Sequence, residues 1–596
     1  MIRQNHKTTD TSNDTVPSDI SPKIPNSNVI PRHALANLSK DAIAGVILTA
    51  ILLPAGMGYA QAAGLPAIHG LYATIAALIA YAMFGPSRLL IIGPDSSLAA
   101  LIAATILPLA DGSIERTVAL AGSLSVMTGL ICIIAGLAQL GFVTELISKP
   151  IRTGYINGIA FTVIAGQLPS FFGFSVSVAE FPQEMIALIN GLFQGQLNTA
   201  ALLISTTSMA VILGCKYWAP AIPGVLIALI GATLAATALS HLEIAPLSVV
   251  GTLPQGLPAF RLPIVSLNDC RDMLGGSIAI ALVAFADTSV LSRVYSQRIG
   301  HTVDANKELV SLGIANLTTG LFQGFSVSAS ASRTPVAEQA GARTQVTGLV
   351  GALCVTLLLY FAPSLLKNTP HAALSAVVIC ACISQIQIWQ IARLYHIRRS
   401  EFLFSLACFL GVIVLGVIQG IFIAVGLALF AFIWRAWRPH NAVLGRVDGL
   451  KGYHDVLRHP EAKRIPGLVL FRWDAPLFFA NAAVFEERVQ KAIARAPTPT
   501  KWVVIAAEPI TDIDITAADM LADLDQKIVQ AGMKLCFAEM KGPVKDNLKR
   551  YGLFDAFGNE DFFPTIGQAV ERYLRINSVQ WQDWEDPSPV APVEPN

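Results

Sequence analysis

The sequence predicts a polytopic α-helical membrane protein followed by a small α/β domain, and three observations carry that expectation. Of 596 residues, 53% are hydrophobic and only 14% charged, with a mean hydropathy of +0.57; a soluble domain carries about 25% charge. From Asp41 to about Trp437, apolar runs follow one another with short breaks. About twenty residues are needed per spanning helix, and about fourteen segments can be placed, two of them too short to span alone. After Pro439 the charge density becomes ordinary and strand-like and helix-like patterns alternate.

The expected organisation is a disordered tail over 1–38, a membrane domain over 39–438, a soluble domain over 441–576 and a disordered Pro-rich tail over 577–596. The formal net charge of +1 gives no global field for nucleic acid. The eight cysteines are scattered, without metal or disulfide spacing. No Gly-rich phosphate loop, nucleophile elbow or metal-ligand cluster occurs, so the sequence points away from an enzyme and implies neither cofactor nor metal. Lys and Arg concentrate in alternate loops, as at Arg88, Lys149 with Arg152, Lys216, and Arg393 with Arg398 and Arg399, so the positive-inside rule puts both termini in the cytoplasm.

Taken in order, the first span, AIAGVILTAILLPAGMGYAQAAG, contains Pro54, Gly56 and Gly58, which suggests an unwound point. The third segment opens with the β-prone run Leu89–Ile92, then Gly93-Pro94-Asp95-Ser96-Ser97 and an apolar helix, with Pro94 where helix starts favour proline. The centre of the chain is Gly275–Gly348. There an apolar helix is interrupted by Asp287, and a second apolar segment leads to Gly324-Phe-Ser-Val-Ser-Ala-Ser-Ala-Ser-Arg333-Thr334-Pro335. A carboxylate at mid-membrane costs roughly 2.5–3.5 kcal/mol on insertion scales and usually faces a pathway. The Ser-rich run alternates polarity and then shows helix-start chemistry, Ser and Thr as caps and Pro335 in the first turn.

Two strand-then-half-helix units about 230 residues apart suggest related halves, the mark of secondary transporters. Each half-helix start carries roughly half a positive charge and free N–H donors. Two of them, with Arg333 beside one, would make an anion site. In the soluble part, strands are expected at Gly467–Trp473, Lys501–Glu508 and Met533–Met540, and helices at Ala482–Arg495, Thr516–Gly532 and Val544–Tyr551.

GLPAIHGLYATIAALIAYAMFGPSRLLIIGPDSS resembles the signature region of the SulP anion permeases, bacterial counterparts of the solute carrier 26 family. FQGFSVSASASRTPVAEQAGARTQ resembles their tenth-helix region, and KWVVIAAEPITDIDITAADML with KGPVKDNLKRYGLF resembles their STAS domain. The resemblance covers about residues 35–576. It implies a 7+7 inverted repeat with core and gate parts, a homodimer, and an anion held between the third and tenth half-helices.

By that resemblance the anion-binding residues are Tyr59, Asp95, Ser96, Ser97, Ala329, Ser330, Ser332 and Arg333. Ser332-Arg333 match a Ser-Arg pair of animal members, and Tyr59 an aromatic of the first helix. Where many relatives have Pro-Gln, this chain has Pro54-Ala55 and lacks one side-chain donor. Asp287 matches the eighth-helix acid and is the coupling-ion residue. It is Glu in several proton-linked members and Asp in a sodium-linked bicarbonate transporter, whose further Thr is Leu291 here. Thr516 matches the phosphorylatable hydroxyl of related STAS loops and also reads as a helix cap.

The expected function is secondary transport of small anions in the inner membrane, sulfate first, with H⁺ as partner ion or by exchange. Bicarbonate or a dicarboxylate, with Na⁺ or H⁺, and an uncoupled channel remain alternatives. The further partners expected are membrane lipid and a cytoplasmic protein at the STAS domain.

Overall fold

The computed structural model describes residues 34–142, 148–174, 181–219, 223–241, 247–299 and 302–585. Of the predicted tails, 1–38 and 577–596, residues 1–33 and 586–596 lie outside these residues, while Ala34 to Leu38, expected in the tail, already belong to the first helix. The chain divides into two compact units: one holds 1–144, 156–386 and 412–418, the other 145–155, 387–411 and 419–596.

In the first unit the membrane segments begin with α1 (Ala34–Ala62), α2 (Ala67–Phe84), α3 (Ser96–Ile106) and α4 (Ile114–Leu137). Next come α5 (Lys149–Phe172), which enters from the other unit, then α6 (Phe181–Phe193), α7 (Thr199–Trp218) and α8 (Gly224–His241). The second half contributes α9 (Leu267–Ile299), α10 (Ala305–Leu321), α11 (Arg333–Gln339), α12 (Val346–Phe361) and α13 (His371–Gln385). Among the described residues seven helices are long and apolar enough to cross a membrane, and α3, α8 and α12 belong to shorter apolar helices.

Small residues let the helix backbones touch, as in membrane packing generally. Gly122, Gly129 and Gly136 of α4 repeat every seven residues and face Gly320, Gly313 and Val310 of α10 in that order. A Cβ on Gly129 would lie 2.7 Å from the Gly313 carbonyl oxygen, and one on Gly320 2.5 Å from that of Gly122. The α1–α2 contact is tighter still, since a Cβ on Gly70 would lie 1.8 Å from the Gly56 oxygen. This contact bears on Pro54. The expected unwound point is absent: α1 continues through Pro54 as helix. A proline removes one backbone hydrogen bond, and neighbouring helices can hold the segment nonetheless.

Asp41, buried near the start of α1, closes the other end of this packing. Its Oδ1 accepts from Arg343 N (2.6 Å), Thr344 N (3.1 Å) and Thr347 Oγ1 (3.1 Å), and its Oδ2 from Thr344 Oγ1 (2.6 Å). The first helix thus supplies the anionic cap for the start of α12.

The second unit contains α14 (Ile388–Ile397), most of α15 (Arg399–Leu415) and α16 (Val417–Trp437), and the C-terminal α/β domain. That domain has a six-stranded sheet in the order β4-β3-β5-β6-β7-β8, where β1 and β2 denote the two short strands of the site below. Its strands are β3 (Asn441–Arg446), β4 (Tyr453–Asp455), β5 (Leu468–Trp473), β6 (Trp502–Ala506), β7 (Lys534–Ala538) and β8 (Phe562–Phe563). β3 pairs antiparallel with β4 and β5, and β5 to β8 run parallel.

The alternating residues of β5 show both faces buried. Val469, Phe471 and Trp473 pack with α17 (Ala482–Ala494), α18 (Ile515–Gln530) and α19 (Gly542–Arg550). Leu468 and Leu470 pack with Val570 and Tyr573 of α20 (Ile566–Asn577). The expected strands and helices of this domain are present; β3, β4, β8 and α20 are additional. Disorder was expected from 577, but residues 578–585 lie against the domain, with Val579 and Trp581 on the α20 side of the sheet.

Candidate anion site at the crossing of two short strands

The site grows from the antiparallel pair β1 (Ile92–Gly93) and β2 (Ser328–Ala329), with Ile92 opposite Ala329 and Gly93 opposite Ser328. Such short strands expose backbone groups at membrane depth, and every one needs a partner. Side chains from neighbouring helices supply several. Asn316 of α10 clamps Val327 from both sides: its Nδ2 donates to Val327 O (3.0 Å) and its Oδ1 accepts from Val327 N (2.9 Å). Thr288 of α9 accepts from Ala329 N through Oγ1 (3.2 Å). Thr334 accepts from Ile91 N (3.2 Å), and Ser330 N donates to Ile91 O (3.0 Å).

Each strand runs into a half-helix. α3 is capped by Asp95, whose Oδ2 accepts from Ser97 N at 3.2 Å. The cap is therefore Asp95, and Pro94 stands outside the helix and not in its first turn. α11 is only seven residues long, and its N-cap residue Ser332 makes no side-chain capping bond. Ser330 Oγ accepts from Arg333 N instead (3.3 Å) and lies 3.2 Å from Ser332 Oγ.

Arg333 is fully buried, behind the strand pair. Its Nη2 donates to the Pro94 carbonyl and lies 3.9 Å from Asp95 Oδ1. Gly93 allows this approach, because a Cβ there would stand 3.1 Å from Nη1. Among the described residues Arg333 Nε and Nη1 and the hydroxyls of Ser326 and Ser328 have no hydrogen-bond partner. A buried guanidinium with two unused donors is costly unless something anionic meets it.

Asp287, on α9, points to the same place. Ser97 Oγ lies 3.0 Å from Asp287 Oδ2 and 3.0 Å from Asp95 Oδ2. Ser96 accepts from Gln385 Nε2 at the end of α13 (2.5 Å), and the buried Tyr59 faces Ser96, Asp95 and Arg333. The structure therefore brings together Tyr59, Asp95, Ser96, Ser97, Asp287, Ala329, Ser330 and Arg333. Ser332 is exposed next to Ser330, and Ala331 beside it is exposed too. Thr516 belongs to the C-terminal domain, exposed in the first turn of α18, whose cap is Asp514 and not Thr516.

Three residues of this unit escaped the reading of the sequence. Thr288 and Asn316 fix the second strand, and the only signal was a polar residue in an apolar helix. Glu308 is the third. It is buried in α10, and its two oxygens accept from Tyr81 Oη (2.5 Å) and Ser292 Oγ (3.1 Å). It follows Lys307 in the first turn of α10, and nothing in the local sequence marks it as buried.

Comparison with known proteins gives this geometry a lineage. The sequence profile of the sulfate permease family matches residues 38–408, and that of the STAS domain residues 459–569. The chain belongs to the sulfate permease family. It is 38% identical over 538 residues to a probable sulfate transporter of Mycobacterium tuberculosis, covering 90% of this chain and 96% of the relative. It is 28% identical over 564 residues to sulfate transporter 4.1, chloroplastic, of Arabidopsis thaliana, covering 92% and 81%. The solved structure of SLC26A9 superposes with a TM-score of 0.83 at 20% identity, covering 91% of each chain. The transmembrane domain of the cyanobacterial bicarbonate transporter BicA gives 0.57 at 25% identity, covering 65% of this chain and 98% of that one. The family member described here is thus a multi-pass membrane protein with the SLC26 fold, consistent with a 7+7 inverted repeat, in which α3 and α11 are the short helices that follow β1 and β2, and it ends in a STAS domain.

Proposed function

We propose that the chain is a proton-linked secondary transporter of small anions, sulfate first, working by alternating access around the crossing of β1 and β2. One observation carries the proton assignment: a single hydroxyl, Ser97 Oγ, stands 3.0 Å from a carboxylate oxygen of both Asp95 and Asp287. A hydroxyl has one hydrogen to donate and two lone pairs to accept with. With both acids ionised, one contact lacks a proton; with one acid protonated, that acid donates to Ser97 and both contacts are satisfied.

Arg333 lies 3.9 Å from Asp95, and Asp287 shares Ser97 with Asp95, so a proton on either acid lowers the negative charge that an incoming anion meets. Donors for the anion are the N–H groups of the exposed Ala331 and Ser332, the Ser332 hydroxyl and the field of Arg333. Ala329 contributes position only, since its N–H is taken by Thr288. Leu291, one turn beyond Asp287, offers no oxygen to a sodium ion.

Sulfate is the first choice because the relatives in Mycobacterium and Arabidopsis are named as sulfate transporters. The reading extends to a homodimer in the inner membrane with both termini cytoplasmic and a STAS domain that regulates transport, with Thr516 as its modifiable hydroxyl. A panel of unlabelled anions competing with labelled sulfate in proteoliposomes tests the substrate. Sulfate should compete best, and stronger competition by bicarbonate or a dicarboxylate would reassign it.

A further inference from the structure

The STAS domain carries a second charged site, unrelated to the membrane crossing. Arg446 ends β3, and only 5% of it is exposed. Its Nη1 donates to Gly452 O (2.8 Å), and Tyr453, its partner in register on β4, stacks on the guanidinium at 5.5 Å. Its charge is balanced from one place, the stretch beyond α20. Nε pairs with Asp583 at 2.8 Å and Nη2 with Glu585 Oε2 at 2.6 Å, and the Trp584 ring covers the guanidinium at 5.5 Å. Among the described residues no other carboxylate is ion-paired to Arg446.

The stretch itself has the look of a ligand. From Val579 to Asp583 it has neither helix nor strand, and Val579, Trp581 and Asp583 stand at every second position. In an extended chain that spacing turns all three to one side. Val579 and Trp581 pack on the apolar surface that Ile566 and Leu574 also cover, and Asp583 reaches Arg446. The fit is open: a cavity of about 490 Å³ remains between the stretch and the domain, lined among others by Tyr453, Glu539, Ile566, Glu571 and Trp581. Glu539 and Glu571 add negative charge to this cavity and oppose tight seating of an acidic segment.

We infer that the Arg446 cleft is a peptide-binding site for a segment that turns at its acidic end and has a tryptophan followed at the second and fourth positions by carboxylates, and that Trp581, Asp583 and Glu585 are its resident, exchangeable occupant. The partner class is a protein segment of this acidic, aromatic pattern, which gains access when the chain's own segment leaves. Tethering favours the resident, because a short link gives an effective concentration on the order of millimolar. A partner segment must beat that, so the site is a gated one.

The test uses the full chain in detergent and a fluorescein-labelled peptide of sequence SVQWQDWE, read by anisotropy. An opened chain carries Trp581→Ala, Asp583→Asn and Glu585→Gln. It should bind the peptide at least tenfold more tightly than the unaltered chain. A peptide with both carboxylates replaced by amides should bind the opened chain at least tenfold more weakly, a comparison that leaves the protein untouched. Arg446→Gln in the opened chain should give a similar loss. Equal binding to opened and unaltered chains, binding to neither, or equal binding of the acidic and amide peptides would overturn the inference.

Discussion

Ser97 and Asp287, 190 residues apart in sequence, meet at 3.0 Å between the start of one half-helix and the middle of a helix from the other repeat. Ser97 Oγ also lies 3.0 Å from Asp95 Oδ2, so one hydroxyl bridges the two acids, and in the proposed mechanism a proton on one is felt by the other through it. Ser97→Ala keeps the backbone donor that Asp95 accepts and removes only the bridge. We predict that sulfate exchange survives within about threefold, while the acceleration of uptake by an inward proton gradient falls by about tenfold, on the order of 1.4 kcal/mol of coupling. Proteoliposome uptake at matched and unmatched pH measures both quantities.

Arg333 is the second lever. Its guanidinium is buried behind the strands with two N–H groups unused. Arg333→Ala should weaken labelled-sulfate binding by tenfold or more, and Arg333→Lys should not restore it, because an ammonium presents a point charge where the planar fork meets Pro94 O and Asp95. Unchanged affinity in Arg333→Ala would remove the residue from the site. Thermal melting of the purified protein controls for misfolding, since breaking a buried pair leaves Asp95 uncompensated.

Much of this arrangement was legible in the sequence, and the reason is local. Val, Ile and Leu runs bounded by turn residues announced β5, β6 and β7, and the Ser-rich run ahead of Arg333 announced a strand before a half-helix. What was not legible depends on distant partners. Pro54 looked like a break because proline removes a hydrogen bond, but the Gly56–Gly70 contact holds α1 in place. Asn316 and Thr288 bond strand residues 11 and 41 positions away, and no local pattern shows that. Helix α20 buries only Ala569, Val570 and Tyr573 among charged neighbours, too thin a stripe to stand out. The glycines at 122, 129 and 136 did carry a periodic signal, meaningful only against Gly313 and Gly320.

Asp41 links the first helix to the second repeat by four hydrogen bonds to residues 343–347. Hydrogen bonds to a charged group contribute roughly 1.5–3 kcal/mol each at most and are far from additive. Asp41→Ala is expected to destabilise the membrane domain by about 2–4 kcal/mol, seen as a lower melting temperature in detergent. Asp41→Asn, which keeps one acceptor oxygen, should lose less. Equal melting of Asp41→Ala and the unaltered chain would show the cap to be idle.

If Asp95, Ser97 and Asp287 share a proton that travels with the anion, labelled sulfate uptake into proteoliposomes under an imposed ion gradient will show it. An inward proton gradient should accelerate uptake by the unaltered protein, a sodium gradient should not, and Asp287→Asn should abolish the proton response while retaining exchange. Uptake that follows the sodium gradient and ignores the proton gradient would rule out the shared proton.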